Sequence, residues 1–311
     1  MSHRPHTGAF IASLIGMLAV AVALQVARDR AFAFAPVDRQ VLYVSNPQVM
    51  RRAALSYDTL LADIYWIRAL QHYGGERQKP RYARRYELLY PMLDLATTLD
   101  PRFNIAYRFG AIFLSEPRPA GAGRPEQAIA LLKKGLAFNP GKAEYYHDIG
   151  FIYYWHLRDY QLAAEWFGRG GDLPGAPFWL KTYSAIMLTR GGDRQASRVL
   201  WTQIGQSEES DWLRRTAQLR LAQLDALDQI DELKRIVDDH AKRTGRRAES
   251  WEQLAAARAV RGRPLDPSGT PYTLDAETGQ IGVAGDSELW PLPTEPAAAP
   301  ELKREMPPVP R

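Results

Sequence analysis

Apolar residues recur along most of the chain at intervals of three and four, the spacing that places them on one face of an α-helix. The stretch AEYYHDIGFIYYWHLRDYQLAAEWF (143–167) alternates bulky aromatic and small residues at this spacing. Pro101, Pro140 and Pro174 each follow such a stretch, and proline stops a helix because it lacks an N–H and fixes φ. The pattern therefore predicts a series of helices separated by short turns.

The helical stretches repeat with a period close to 34 residues, because Ala128, Ala163 and Ala196 hold equivalent places and lie 35 and 33 residues apart. In the clearest unit, the small and bulky residues that would pack two helices together are Tyr146, Ile149, Gly150, Tyr153, Ala163 and Phe167, with Pro174 after them. This order resembles the tetratricopeptide repeat, W-x2-L-G-x2-Y followed by A-x3-F and P. Similar patterns precede and follow it.

The resemblance implies an all-α fold in which helical hairpins stack into a right-handed solenoid with one concave face. We expect this repeat domain to span 51–245. Its end units are less regular: the unit at 57–101 has a long connector near 75–83, and the unit at 210–243 is expected to be two helices broken near Asp228. Irregular end units are typical of stacked repeats, since each packs on one neighbour only.

The N-terminus carries seventeen consecutive uncharged residues, GAFIASLIGMLAVAVAL, after a short tail at 1–7. A helix of twenty residues is about 30 Å long, which matches the hydrocarbon core of a bilayer. We predict a transmembrane helix at 8–27 and a linker at 28–50. A cleaved signal peptide, with the small-residue run Ala31–Ala33 at its cleavage site, is the alternative.

The arginines around this segment give conflicting indications of its orientation. One arginine precedes it and three closely follow it, which by the positive-inside rule would place the rest of the chain in the cytoplasm. A tail of only seven residues before the segment favours export of the remainder of the chain. We predict a single-pass protein of the inner (cytoplasmic) membrane with its repeat domain in the periplasm.

The period is lost after residue 245. ESWEQLAAARAV (249–260) predicts a short helix, and turn residues around PYTLD and QIGV predict a β-hairpin, so that 246–292 forms a small helix and hairpin segment. The run from this helix through DPSGTPYTLDAETG resembles the C-terminal end of pseudopilin-type proteins. The long N-terminal helix of that family is not matched, so no filament role is implied. Prolines are frequent in 293–311, which predicts an extended or disordered tail.

The tetratricopeptide resemblance also implies where a partner would bind, because members of this family line their concave groove with fixed positions of each first helix. Here the candidate groove residues are Tyr107, His147, Phe151, Tyr154, Trp155, Trp179, Ile186 and Arg190. An aromatic groove suits a helix or an extended peptide of another protein, with the rings as anchors. The alternative is that these rings pack against a neighbouring unit or the C-terminal hairpin.

Five cations lie close together around the first connector: Arg77, Lys79, Arg81, Arg84 and Arg85. They are candidates for contact with lipid headgroups or an acidic partner, and a solvated surface is the alternative. The net charge of +5 is small for 311 residues and does not indicate nucleic acid.

Candidate catalytic chemistry is sparse. The chain has no cysteine, which excludes disulfides, thiolate metal sites and cysteine nucleophiles. Its six histidines lack metal-binding spacing, and no phosphate-binding or dinucleotide-binding glycine motif occurs. His147 beside Asp148 would suit a general base only within a pocket. We expect no catalysis, no cofactor and no metal.

These patterns predict a non-catalytic, membrane-anchored scaffold that binds partner proteins in the assembly or stability of a bacterial envelope complex. Two other classes stay open. One is an integral structural subunit of a larger membrane complex, and the other is an enzyme with its site on the helical stack. The sequence gives no indication of the oligomeric state.

Overall fold

A computed structural model of the chain describes residues 6–31, 46–206 and 210–295. They belong to two compact units, which divide after Ser45. The described chain is mostly helical and has a small two-stranded sheet near its C-terminal end, as the sequence predicted. Parts of the predicted N-terminal tail, linker and proline-rich tail lie outside the described residues, at 1–5, 32–45 and 296–311.

The first unit contains α1 (His6–Ala31), a helix of 26 residues over the predicted apolar span. Its described side chains, from 13 to 28, are all exposed. Within the described part of the chain, no helix combines the length and the apolarity that crossing a membrane requires. The predicted helix at 8–27 is thus present, and its role as a membrane span stays a prediction.

The second unit is a succession of helices. In chain order these are α2 (Pro47–Ala53), α3 (Asp58–Gln78), α4 (Leu89–Leu99), α5 (Asn104–Ser115), α6 (Pro125–Phe138), α7 (Ala143–Ile152), α8 (Tyr160–Gly171), α9 (Trp179–Arg190), α10 (Arg194–Gln206), α11 (Asp211–Thr244) and α12 (Trp251–Ala256). From α3 to α11, each helix packs against the next. In addition, α5 contacts α7 and α4 contacts α6, so alternate helices also meet.

Local sequence signals fix where several of these helices begin and end. The side chain of Asn46 accepts hydrogen bonds from the first free N–H groups of α2, and Asp159 and Ser210 do the same for α8 and α11. Such caps satisfy donors that have no partner within the helix. At the other end of α11, Gly245 adopts a left-handed φ of 72°, which glycine accepts without a steric penalty.

Small residues sit where neighbouring helices come closest. A Cβ atom added to Gly150 would lie 2.8 Å from the ring of Phe167, so only glycine fits between α7 and α8. Of the residues predicted to pack this unit, Ile149, Gly150, Ala163 and Phe167 are buried. The other two, Tyr146 and Tyr153, are half-buried.

The unit formed by α5 and α6 is rotated relative to this prediction. Tyr107, predicted to face the groove, is fully buried, whereas Phe109, at the place in the predicted repeat that corresponds to the buried Ile149, is 51% exposed. The Tyr107 ring lies 5.5 Å from the ring of Tyr145 and its hydroxyl donates to the carbonyl of Thr97. Gly135 leaves the space that both rings occupy, so Tyr107 belongs to the core between the helices.

The predicted break near Asp228 is wrong, because α11 runs through it as one helix of 34 residues. Its first half packs with Ala185 and Trp201 of the preceding pair. Its second half, including Leu233 and Val237, packs with the C-terminal segment. The two cores therefore meet along α11, and the predicted boundary after 245 does not lie between them.

The C-terminal segment contains the predicted hairpin. Strands β1 (Thr273–Leu274) and β2 (Ile281–Gly282) pair antiparallel, with Thr273 opposite Gly282. The preceding helix is α12, which is shorter than the predicted 249–260. The segment is anchored through Tyr272, whose carbonyl accepts from the indole of Trp251 at 2.8 Å and whose hydroxyl donates to Gln229 of α11 at 2.8 Å.

Candidate functional site

Aromatic side chains of α7 and α9 meet around the ring of His147. That ring lies 5.2 Å from Trp179 in an edge-on arrangement and 6.2 Å from Phe151 in a stacked one. Behind it lie Phe167 at 5.8 Å and Tyr183 at 6.3 Å. The rings predicted from α7 and α9 are therefore brought together, and Tyr183 adds one that the repeat pattern did not predict.

The end of α7 widens into a π-helical turn, Tyr153–Leu157, that the sequence did not predict. The turn ends at Arg158, which has a left-handed φ of 56°. Such turns carry one residue more than an α-helical turn and are frequent at functional sites. Here Trp155 stacks on Phe151, with ring centroids 6.1 Å apart and an interplanar angle of 9°. The two rings are 51% and 43% exposed, so they form an open apolar surface.

Tyr154 is held beside this stacked pair by a cation from the next unit. The guanidinium of Arg190 donates to the Tyr154 hydroxyl at 3.0 Å and lies 5.4 Å from the ring centre. Ile186, one turn earlier on α9, is half-buried and packs among the apolar residues of both neighbouring cores. Two further candidate groove residues are thus in contact through Arg190 and Tyr154, whereas Ile186 contributes to core packing.

A cavity of about 580 Å³ lies between α5 and α7. Ala111, Ile112 and Ser115 of α5 form one wall, and Phe151 and Trp155 form the other. Two of the three α5 residues, Ala111 and Ser115, are small and face the large rings of the opposite wall. Of the eight candidate groove residues, three line this cavity, namely His147, Phe151 and Trp155. The other five, Tyr107, Tyr154, Trp179, Ile186 and Arg190, lie outside its lining, so the groove as a binding surface stays a prediction.

Polar side chains, those of Arg108, His147 and Asp148, also line the cavity. The Arg108 guanidinium donates from Nε to Asp148 Oδ2 at 2.6 Å and from Nη2 to Oδ1 at 3.1 Å. His147 Nδ1 lies 2.9 Å from Asp148 Oδ1. Burial alone would raise the pKa of Asp148, but hydrogen bonds from His147 and Arg108 outweigh it and lower the pKa. In the predicted repeat, Arg108 and Asp148 hold equivalent places in adjacent units and carry opposite charges. This combination is the signal by which the sequence could have predicted the pair.

This ion pair joins α5 to α7. The carboxylate of Asp148 is already engaged by a guanidinium, so its charge is balanced before any substrate arrives. The hydroxyl of Ser115 donates to the carbonyl of Ile112 within its own helix. His147 lines the cavity, which meets one condition for a general base. The Ser115 hydroxyl, however, is bound to the carbonyl of Ile112 and not to a base that would activate it as a nucleophile.

The five cations of the first connector are used unequally. The side chain of Lys79 pairs with the buried carboxylate of Glu76 at 2.8 Å. Arg84 donates to the carbonyls of Lys79, Arg77 and Pro119, and Arg77 donates to Tyr73 and Glu116. The side chains of Arg81 and Arg85 are exposed. Three of the five therefore hold the connector in place, and two are free to meet an anionic surface.

His72 lies beneath this connector, on the same side of α3 as Glu76. It is buried, and its Nε2 atom has no hydrogen-bond partner among the described residues. Burial lowers the pKa of His72, and Lys79 lowers it further, against the opposing effects of Glu76 and Glu87. No cluster of three or more metal-binding side chains occurs in the described ranges.

Comparison with known proteins yields no relative: no family model, no curated protein and no solved structure matches the chain.

Proposed function

We propose that this chain is a non-catalytic, membrane-anchored scaffold that holds partner proteins in an aromatic groove. Its helical pairs stack as a tetratricopeptide-like right-handed solenoid, anchored by the helix at 8–27 in the inner membrane with the repeats in the periplasm. The partner contributes a helix or an extended peptide, and the assembly belongs to a bacterial envelope complex.

The observation that carries this proposal is the cavity between α5 and α7 with its exposed stacked rings. Large rings are frequent anchors of protein interfaces because they bury much area with few rotatable bonds. Phe151 and Trp155 are presented on a helix end that Arg190 and Tyr154 hold in place. The Arg108–Asp148 pair fixes the opposite wall.

Affinity purification of the tagged chain from its native membrane, followed by mass spectrometry, tests the proposal. In the Trp155→Ala variant we expect partner recovery to fall roughly tenfold or more, since central aromatic anchors contribute most of the energy of an interface. Trp212→Ala is the matched control, because Trp212 is 57% exposed and lies on α11, outside the groove. Equal recovery with both variants would contradict the groove assignment.

A second candidate function is supported by exposed apolar residues of α3 and α5. Leu60, Ile64 and Ile67 share one face of α3, and Ile105 and Phe109 share one face of α5, and all five are exposed. Contiguous exposed apolar faces commonly mark protein interfaces. They suit a permanent subunit of a membrane complex. Stoichiometric co-migration after mild detergent extraction would favour the subunit, and a free monomer would favour the reversible scaffold.

A further inference from the structure

The segment after the hairpin runs back over the last helical pair. Gln223 of α11 donates from Nε2 to the carbonyls of Leu289 and Pro291, at 2.9 and 3.0 Å. Two residues on, Pro293 lines a small cavity with Ile186 and Thr189 of α9. We call 289–295 the strap. It has no regular secondary structure. It is held by its carbonyls at Leu289 and Pro291, and by the side chains of Leu289 and Leu292, which pack in the core beneath the hairpin.

The strap ends beside the aromatic groove. Arg194, just after α9, holds Glu295 with two hydrogen bonds of 2.6 and 2.5 Å. Four residues earlier in the chain, at the end of α9, Arg190 binds the hydroxyl of Tyr154. The Tyr154 ring in turn lies 5.9 Å from that of Trp155. Glu295 is therefore held close to the C-terminal end of α9, where Arg190 contacts Tyr154.

We propose that residues 296–311 occupy the aromatic groove of the same molecule until a partner displaces them; this rests on the groove being the binding surface of the proposed function. The reach is sufficient. From α9 to the cavity is two helices, or about 20 Å at 8–10 Å per helix. Sixteen residues extended at about 3.1 Å each cover roughly 50 Å.

The chemistry of the segment fits the groove. PAAAPELKREMPPVPR contains four further prolines after its first residue, three of them in MPPVP. Proline-rich segments dock on grooves lined by aromatic rings because they lose little conformational freedom on binding. Phe151 and Trp155 supply exposed rings, and the Trp155 indole is a donor for carbonyls of the kind that Gln223 binds in the strap. The segment would then be bound through its carbonyls and proline rings, as Leu289, Pro291 and Pro293 are in the strap.

The test uses the full chain. Because the chain has no cysteine, Met306→Cys provides a single site for a bimane label, whose emission is quenched when it touches tryptophan. We expect quenched emission that is independent of protein concentration and is relieved by excess unlabelled 296–311 peptide. Replacing Pro307, Pro308 and Pro310 by alanine is expected to restore the emission, whereas Lys303→Ala, a change of charge alone, is expected to leave it quenched.

Two variants locate the contact. Trp155→Phe is expected to restore emission and Trp212→Phe to leave it quenched. Emission equal to that of the labelled free peptide in the unmutated chain would overturn the proposal, and so would quenching that grows with concentration, since a second copy would then be the occupant. An unquenched label with partner recovery still lost in Trp155→Ala would sink this inference and leave the proposed function standing. A quenched label with partner recovery unchanged in Trp155→Ala would sink the proposed function and, with it, displacement by a partner; the intramolecular contact alone would stand.

Discussion

In the predicted repeat, helices α5 and α7 occupy equivalent places in adjacent units, yet in the structure they bury different faces. In α5 the groove positions hold Tyr107, Ala111 and Ser115, and all three are buried. In α7 and the π-helical turn that follows it, the same positions hold His147, Phe151 and Trp155, of which the last two are exposed. The spacing of apolar residues along the chain thus predicts where helices occur. Which face of a helix is buried depends on the side chains of the helix packed against it. Gly135 gives Tyr107 space to turn inward.

The largest expected effect breaks the α5 side of this comparison. Tyr107→Ala should lower the free energy of unfolding by about 3–5 kcal/mol, because it leaves a large cavity in the core. Phe109→Ala, two residues away and 51% exposed, should cost less than about 1 kcal/mol. Urea unfolding followed by circular dichroism measures both. Equal losses would mean that the two rings are buried alike, contrary to the rotation described.

A second effect concerns the close contact of α7 with α8. Gly150→Ala would place a methyl group 2.8 Å from the Phe167 ring, and overpacking of this kind typically costs about 1–3 kcal/mol. Gly74→Ala on α3 is the matched control, since nothing lies within 4 Å of its Cβ position. It should stabilise the chain by about 0.5–1 kcal/mol. Thermal unfolding of both variants checks the expected opposite signs.

A third, smaller effect depends on pH. Because the pKa of His72 is lowered by burial from its ordinary value of 6.5, the unfolded chain takes up this proton more readily than the folded chain. The stability that depends on neutral His72 is complete above pH 6.5 and is lost as the pH falls toward the lowered folded pKa. His156 has a lowered pKa for the same main reason and adds to the trend.

The variants His72→Gln and His156→Gln separate the two contributions. Each should reduce the loss of unfolding free energy between pH 7.5 and pH 5.5, as measured by urea titration at each pH. A loss that is unchanged in both variants would show that other groups cause the pH dependence.

The smallest expected effect on stability sharpens the α7 side. Trp155→Ala should change the free energy of unfolding by about 1 kcal/mol or less, because the side chain is half in solvent and loses mainly its stacking on Phe151. Circular dichroism and urea unfolding measure it. A loss as large as that of Tyr107→Ala would indicate that Trp155 is a core residue and not a binding residue.

The helical succession and the C-terminal hairpin could be predicted from spacing and turn residues alone. The packing residues Ile149, Gly150 and Phe167 could be predicted too, because the small-to-large pattern determines their contacts locally. Tyr107 could not, since its burial depends on Gly135, which lies on another helix and is 28 positions away. The π-helical turn left no signal either, because neither glycine nor proline marks Tyr153–Leu157.

The course of α11 also escaped prediction, for a different reason. Asp228 interrupts the apolar pattern and suggests a turn, but its carboxylate pairs with Arg194 and Arg198 of α10. An exposed polar residue within a long helix therefore marked a contact between helices. The Arg108–Asp148 pair is similar, because the two charges lie 40 positions apart in the sequence and form an ion pair only when α5 packs beside α7.

The length of α11 has a mechanical consequence. At about 1.5 Å per residue, this helix is a rod of roughly 50 Å, and each of its halves completes a different core. Unfolding of either end of α11 would expose to water the hydrophobic core to which that end contributes. Heat or force applied to the hairpin end is therefore transmitted along the rod to the helical pairs, and the two regions give way together.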